Sequence, residues 1–307
     1  MSTQPQSTSG LALAVSAFTL FSLMPVYLQW LHPLSGYTVL FHRILWTNLL
    51  LLMVLALTGN LKNSLAPLID LKQWPGLIAG SILIGIQWGV FVWAPLNNQT
   101  LDLSLGYFLL PLIMVVLGKW IYKETLRIKQ WIALILATIG VGIAYWQSNG
   151  LSMVVILIIV GYPLYLMLRR HQRLPTFAAF FIENLILLPI AIIGIMLAGD
   201  IYGGPLPHPF AYELNWILLF LGVAVLGSIP MLCYIAANKR LPMSLLGLIS
   251  YLEPTLIFIF AYFVIGENLP PTQVATYGLI GAGLLFTLWD GFEQWHIQKR
   301  YSLPPLN

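Results

Sequence analysis

Arg43, Glu183 and Glu253 each stand inside an apolar run that is otherwise nearly free of charge. A charged side chain at the centre of a bilayer costs about 2.5–3.5 kcal/mol even on the gentlest scales, so such residues mark ion or substrate pathways by default. The chemistry open to these three is binding and proton exchange. A guanidinium attracts a substrate carboxylate or holds a buried acid. Two carboxylates near one arginine cannot both ionise cheaply in a poorly solvated cavity, so one of them is expected to exchange a proton near neutral pH. His42 adjoins Arg43 and could join that relay, although neighbouring helix positions point about 100° apart and a lone histidine in an apolar span is more often a packing residue. Gln87, Trp88, Tyr107 and Tyr251, with Tyr27, Gln29 and Tyr262, also fall within or beside apolar runs. Polar groups in lipid need partners, so these side chains are expected to face the interior. Singly each reads as packing; together they suggest a cavity for an apolar or aromatic organic molecule. The chain has no HExxH pair for zinc, no Gly-rich phosphate loop and no Gly-x-Ser-x-Gly nucleophile turn, which argues against an enzyme and against a metal or cofactor.

The elements that carry these residues follow from composition. The 307 residues are 59% hydrophobic and 8% charged, with mean hydropathy +0.86, whereas soluble domains are about 25% charged. Apolar segments fall at 10–31, 36–58, 75–96, 101–121, 127–147, 150–168, 176–198, 213–236, 243–265 and 272–291. A hydrocarbon core of roughly 30 Å needs about 20 apolar residues in a helix, so ten spans are expected and little chain is left for a soluble domain. The first run extends past Trp30 with no Lys or Arg before it, too long and unflanked for a cleaved signal peptide. The single cysteine, Cys233, excludes an internal disulfide.

Basic residues set the orientation. With ten spans and the N-terminus inside, Lys62, Lys72, Lys119, Lys123, Arg127, Lys129, Arg169, Arg170, Arg173, Lys239, Arg240, Lys299 and Arg300 all fall on the cytoplasmic face, and only Arg43 is left within a span. The net charge of +4 is then a topology signal rather than a nucleic-acid patch, and both termini are expected in the cytoplasm.

The halves resemble each other. Pro25 and Tyr27 match Pro163 and Tyr165 at an offset of 138; Phe41 and Arg43 match Phe181 and Glu183 at 140; Pro111 and Glu124 match Pro254 and Glu267 at 143. Five spans per half is an odd number, so the second copy enters the membrane from the opposite side, as in inverted-repeat transporters. The division is expected at 1–148 and 149–307. Arg43 lies about 12 Å below the outer end of its span and Glu183 about as far from the inner end of its own, which leaves their backbones about 6 Å apart in depth across the core. An ion pair is expected, as a functional midplane site or as a structural lock between helices. Pro111 and Pro254 are expected to kink spans four and nine. Glu124 and Glu267, at the ends of those spans, read most simply as solvated end residues.

The segments His42–Trp46, 83–94, 104–124, 129–141 and 250–267 resemble the EamA branch of the drug/metabolite transporter superfamily, and within it the RarD-type (chloramphenicol-sensitivity) proteins, over nearly the whole chain. The resemblance implies an all-α polytopic membrane protein with ten transmembrane helices as two inverted five-helix repeats, a central cavity from the first four helices of each repeat, and peripheral fifth and tenth helices. It implies an inner-membrane exporter or permease of small metabolites or drugs. The chain departs from the family pattern at Leu96 and Leu110, where Asn is usual, and at Glu253, where a small residue is usual, as if polarity had moved from the fourth span to the ninth. The resulting expectation is a secondary transporter working by alternating access, with protons as the coupling ion and Arg43, Glu183 and Glu253 in its cavity. A passive channel and a non-transporting scaffold or sensor are the alternatives, and a homo-oligomer is left open.

Overall fold

With no water to satisfy backbone N–H and C=O groups, a lipid-embedded chain of this apolar character closes its hydrogen bonds within helices. The computed structural model describes residues 8–31, 34–97, 99–146, 150–201, 214–260, 263 and 271–301, and contains no strand among them. The helices are α1 (Thr8–Leu28), α2 (Gly36–Leu57), the short α3 (Leu61–Leu65), α4 (Trp74–Leu96), α5 (Thr100–Trp120), α6 (Ile128–Trp146), α7 (Met153–His171), α8 (Thr176–Ile201), α9 (Leu214–Asn238), α10 (Met243–Ser250), α11 (Leu252–Phe260) and α12 (Pro271–Tyr301). With α10 and α11 taken as one span, ten segments of the described chain are long and apolar enough to cross a membrane. Ser35 and Ser152 cap α2 and α7, each accepting a backbone N–H three residues on, which satisfies donors that the first helical turn leaves open.

The two prolines differ in their effect on the helix. Pro111 lies within a continuous α5. Span nine breaks instead, at Tyr251, between α10 and α11. Pro254 has no N–H to give the Ser250 carbonyl; restarting the helix at Leu252 puts the proline in a first turn, where a missing donor costs little. The hydroxyls nearby support the break: Ser250 Oγ donates to the Gly247 carbonyl at 2.7 Å and Thr255 Oγ1 to the Tyr251 carbonyl at 2.7 Å.

Helix pairing follows one rule. α1 packs on α9 as α7 packs on α4; α2 packs on α9 as α8 packs on α4; α5 packs on α7 as α10 and α11 pack on α1. α2 with α8, α5 with α10, and α6 with α12 are each paired across the halves. The pattern is unchanged when α1, α2, α4, α5 and α6 are exchanged for α7, α8, α9, α10–α11 and α12. Small residues make the crossings close. A Cβ on Gly247 would sit 2.8 Å from the Pro111 carbonyl oxygen, and one on Gly283 2.8 Å from that of Ala133. In lipid, where apolar side chains gain nothing by leaving solvent, such van der Waals contact is what holds helices together.

Candidate functional site

Between these helices lies a cavity of about 250 Å³. Its wall is largely aromatic, including Phe21 of α1, Trp88 and Phe91 of α4, Tyr107 of α5, Tyr162 of α7 and Tyr234 of α9. Two charged side chains enter it. Arg43 of α2 lays its guanidinium over the Trp88 ring at 4.2 Å. Gly227 of α9 makes room for it: a Cβ there would lie 2.7 Å from Arg43 Nε. Glu253 reaches the cavity from the first turn of α11, directly beside the helix break. Neither charge forms an ion pair with a described residue, and Arg43 Nε is buried with no hydrogen-bond partner. Leu110, at the position equivalent to Glu253 in the first half, lines the same cavity. α12 contributes Tyr277, so the tenth span borders the cavity where the resemblance implies that it is peripheral.

Of the expected site residues, Arg43, Trp88, Tyr107 and Glu253 come together here; Glu183, His42, Gln87 and Tyr251 do not line the cavity. Glu183 is not the partner of Arg43. It is fully buried between α7 and α8, where Tyr165 Oη donates to its Oε2 at 2.8 Å and Arg169 Nη1 lies 3.6 Å from its Oε1. The physical reason is azimuth. α8 turns Glu183 toward Tyr165 and Arg169 of α7 and Gly80 of α4, and α2 turns Arg43 toward Trp88 of α4. Arg169 is equally misread as a loop charge, because α7 continues to His171 and carries it, 0% exposed, into the bundle. His42 stacks on Phe220 of α9 at 4.1 Å between ring centroids. Gln87 donates to the Leu157 carbonyl at 2.8 Å, filling the space left by Gly161, and Tyr251 donates to the Phe108 carbonyl at 2.9 Å. These three tie helices together. Tyr27 likewise donates to the Leu219 carbonyl. Tyr262 and Glu267, and the side chain of Gln29, lie outside the described residues.

The side of the bundle that carries the termini is closed by polar contacts between the halves. Glu124, expected to be a solvated end residue, caps α10: its carboxylate accepts from Met243 N at 2.7 Å, Ser244 N at 2.8 Å and Ser244 Oγ at 2.6 Å. The exposed N–H groups and the dipole at a helix start favour an anion there. Gly118 permits the approach, since a Cβ would sit 2.7 Å from Ser244 N. Arg170 stands 3.6 Å from Glu124 and donates to the carbonyls of Asn238 and Leu241. Burial raises the Tyr122 phenol above its usual range beside them. Lys239 donates to the Leu174 carbonyl at 2.7 Å; burial pulls its ammonium below the ordinary lysine range, Arg169 adds to the shift and Glu183 opposes it.

Sequence reasoning missed Tyr162, Tyr234, Tyr165 and Arg169 as members of polar clusters. Tyr162 and Tyr165, three apart and thus on one helix face, carried a legible signal. Arg169 was masked by its basic neighbours Arg170 and Arg173.

Known proteins fit this architecture. The EamA-like transporter family model matches twice, over residues 8–146 and 149–289. A chloramphenicol-sensitive protein RarD of Pseudomonas aeruginosa is 36% identical over 97% of this chain and 99% of its own length. An uncharacterized transporter of Vibrio cholerae is 31% identical over 97% of each chain, and a protein RarD of Escherichia coli 29% identical over 97% of this chain and 98% of its own. One crystal structure at 15% identity superposes with a TM-score of 0.68 over 91% of this chain and 96% of its own, a likeness of fold alone. The chain is a multi-pass membrane protein and belongs to the EamA-like transporter family, as a RarD-type member.

Proposed function

We propose that the protein is a secondary transporter that moves small organic metabolites or drugs across the cell membrane by alternating access between two inverted five-helix repeats, 1–148 and 149–307. The observation that carries this reading is the pair Arg43 and Glu253, without ion-pair partners among the described residues, in a cavity rich in aromatic side chains. Holding a desolvated charge unpaired costs several kcal/mol, and a solute with an apolar body and an ionisable group recovers part of that cost. The exchange symmetry of the helix pairing and the two family matches support the repeat division. With both termini in the inner-membrane cytoplasmic compartment, as the basic residues favour, the closed polar side is cytoplasmic and the cavity belongs to an outward-facing state. Protons are the coupling ion this reading favours, since one acid, Glu253, lines the cavity and another, Glu183, is buried within the barrier.

The test is a thermal-shift screen of purified protein against amino acids, aromatic metabolites and drugs. A ligand at one hundred times its Kd adds about 2.7 kcal/mol of stability. A stabilising compound is expected to lose its effect in Arg43→Met and in Glu253→Gln. It should also drive counterflow of its labelled form in proteoliposomes. A ligand that binds without counterflow overturns the transporter reading in favour of a passive pathway or a sensor.

A further inference from the structure

Among the buried polar groups between the cavity and the terminus side, those on one face of α7 form a thread. It begins at Tyr162 in the cavity wall, 6.1 Å from Tyr107 between ring centroids. One turn along the same face of α7 is Tyr165, whose hydroxyl bonds Glu183. One further turn along is Arg169, which donates to Gln172 at the end of α7. Gln172 is only half-buried and so reaches the aqueous boundary.

The centre of the thread is incompletely bonded. Glu183 Oε1 has no hydrogen bond, nor do Arg169 Nε and Nη2, and the closest approach of the two groups is 3.6 Å. A settled Arg–carboxylate pair is bidentate at about 2.7–2.9 Å. The ionisable groups facing Glu183 are Tyr165 and Arg169 from α7 and Lys239 beyond α9. α4 presents only a glycine, Gly80, where any Cβ would collide with Glu183 Oε1.

We infer that Glu183 is a proton-binding site separate from the solute cavity, loaded from the cavity through Tyr165 and discharged on the terminus side. In loading, a hydronium ion that passes Tyr162 gives its proton to the Tyr165 oxygen while the Tyr165 proton passes to Glu183 Oε2; a water is left behind, Glu183 becomes neutral, and the hydroxyl then turns back. The field of Arg169, with that of Lys239, favours departure of the proton once water enters from the terminus side. The assignment rests on the alternating-access reading only for this last step.

The experiment is infrared difference spectroscopy of the protein in lipid between about pH 5 and about pH 9, a window that spans titration of a perturbed acid. A carboxylic-acid carbonyl band that titrates in this window is expected, lost in Glu183→Gln and retained in Glu253→Gln. Tyr165→Phe should shift the band, because it removes a hydrogen bond to the carboxyl, and Glu183→Asp should restore a band at altered frequency. A spectrum whose carboxyl bands all survive Glu183→Gln, or one that Tyr165→Phe leaves unmoved, overturns the assignment. No solute enters the measurement, so a titrating Glu183 in a protein that shows no counterflow would sink the transporter reading alone, and a silent Glu183 in a working transporter would sink this inference alone.

Discussion

Glu124→Ala should open the terminus side of the bundle. The carboxylate accepts three hydrogen bonds from the start of α10 and faces Arg170, with both side chains largely buried at 13% and 18% exposure. Hydrogen bonds to a charged group contribute about 1.5–3 kcal/mol each when isolated, and loss of a helix N-cap costs about 0.5–2 kcal/mol. These overlap, and water can replace part of them at a boundary site, so about 3 kcal/mol is a fair total for the closed state. Because every 1.4 kcal/mol is tenfold, the ratio of closed to open molecules should fall roughly 100-fold. A closed population that was above 99% would then become comparable with the open one.

Paired spin labels read that change directly. Thr125 and Arg240 are both exposed and flank the cap from opposite halves; cysteines there, with Cys233→Ser to remove the native thiol, give one labelled pair. The parent should show a single short distance and Glu124→Ala a second, longer one. Glu124→Gln, which keeps the shape and some acceptor capacity, should fall between. If Glu124→Ala moves the ratio by less than about threefold, under 0.7 kcal/mol, the cap does not hold the closed state. A fall in melting temperature with an unchanged distance distribution would refute the reasoning equally, because it would make Glu124 a residue of the fold and not of the barrier.

Gly247→Ala should destabilise the protein by about 1–3 kcal/mol, since the new methyl meets the Pro111 backbone oxygen at 2.8 Å and helix backbones cannot yield as side chains do; chemical denaturation in mild detergent checks it. Trp88→Leu should weaken binding of any anionic ligand found by the thermal screen several-fold, because about 0.5–2 kcal/mol of cation–π contact now orients Arg43. Calorimetry against that ligand would refute this by returning an unchanged affinity.

The spans were legible in the sequence because lipid leaves the backbone one choice, and hydropathy reports it: the second run, 36–58, is α2 to within one residue. Where basic residues intrude, that signal fails. Span six was read as ending at 168 and the helix ends at 171, since Arg169 looks like loop and is core. The sequence showed which charges lie within spans and not which way they face. Counting residues gives Arg43 and Glu183 similar depths, yet each residue of error in helix phase turns a side chain by about 100°. Nothing in one sequence fixes the rotation of α8 against α2. Glu124 shows a second limit. A carboxylate at a helix end is usually solvated, and its capture by α10 depends on a glycine, Gly118, on a different helix from the donors.

On the alternating-access reading proposed above, the pairing symmetry bears on what would make one state preferred. Were the halves identical in side chains, exchange of the repeats would interconvert two states of equal energy, and the cavity would spend equal time facing each side. The preference therefore comes from the places where equivalent positions differ. Leu110 and Glu253 are one such pair, both in the cavity wall; Arg43 and Glu183 are another, one at the cavity and one in the barrier. The helix break follows the same asymmetry, since Pro111 leaves α5 intact and Pro254 stands at the restart of α11. The helix break thus falls on the second half, while each half brings one charge to the cavity, Arg43 from α2 and Glu253 from α11. On the transporter reading proposed above, a solute that engages Glu253 would act directly beside the break between α10 and α11, where its binding energy can bias the equilibrium between states.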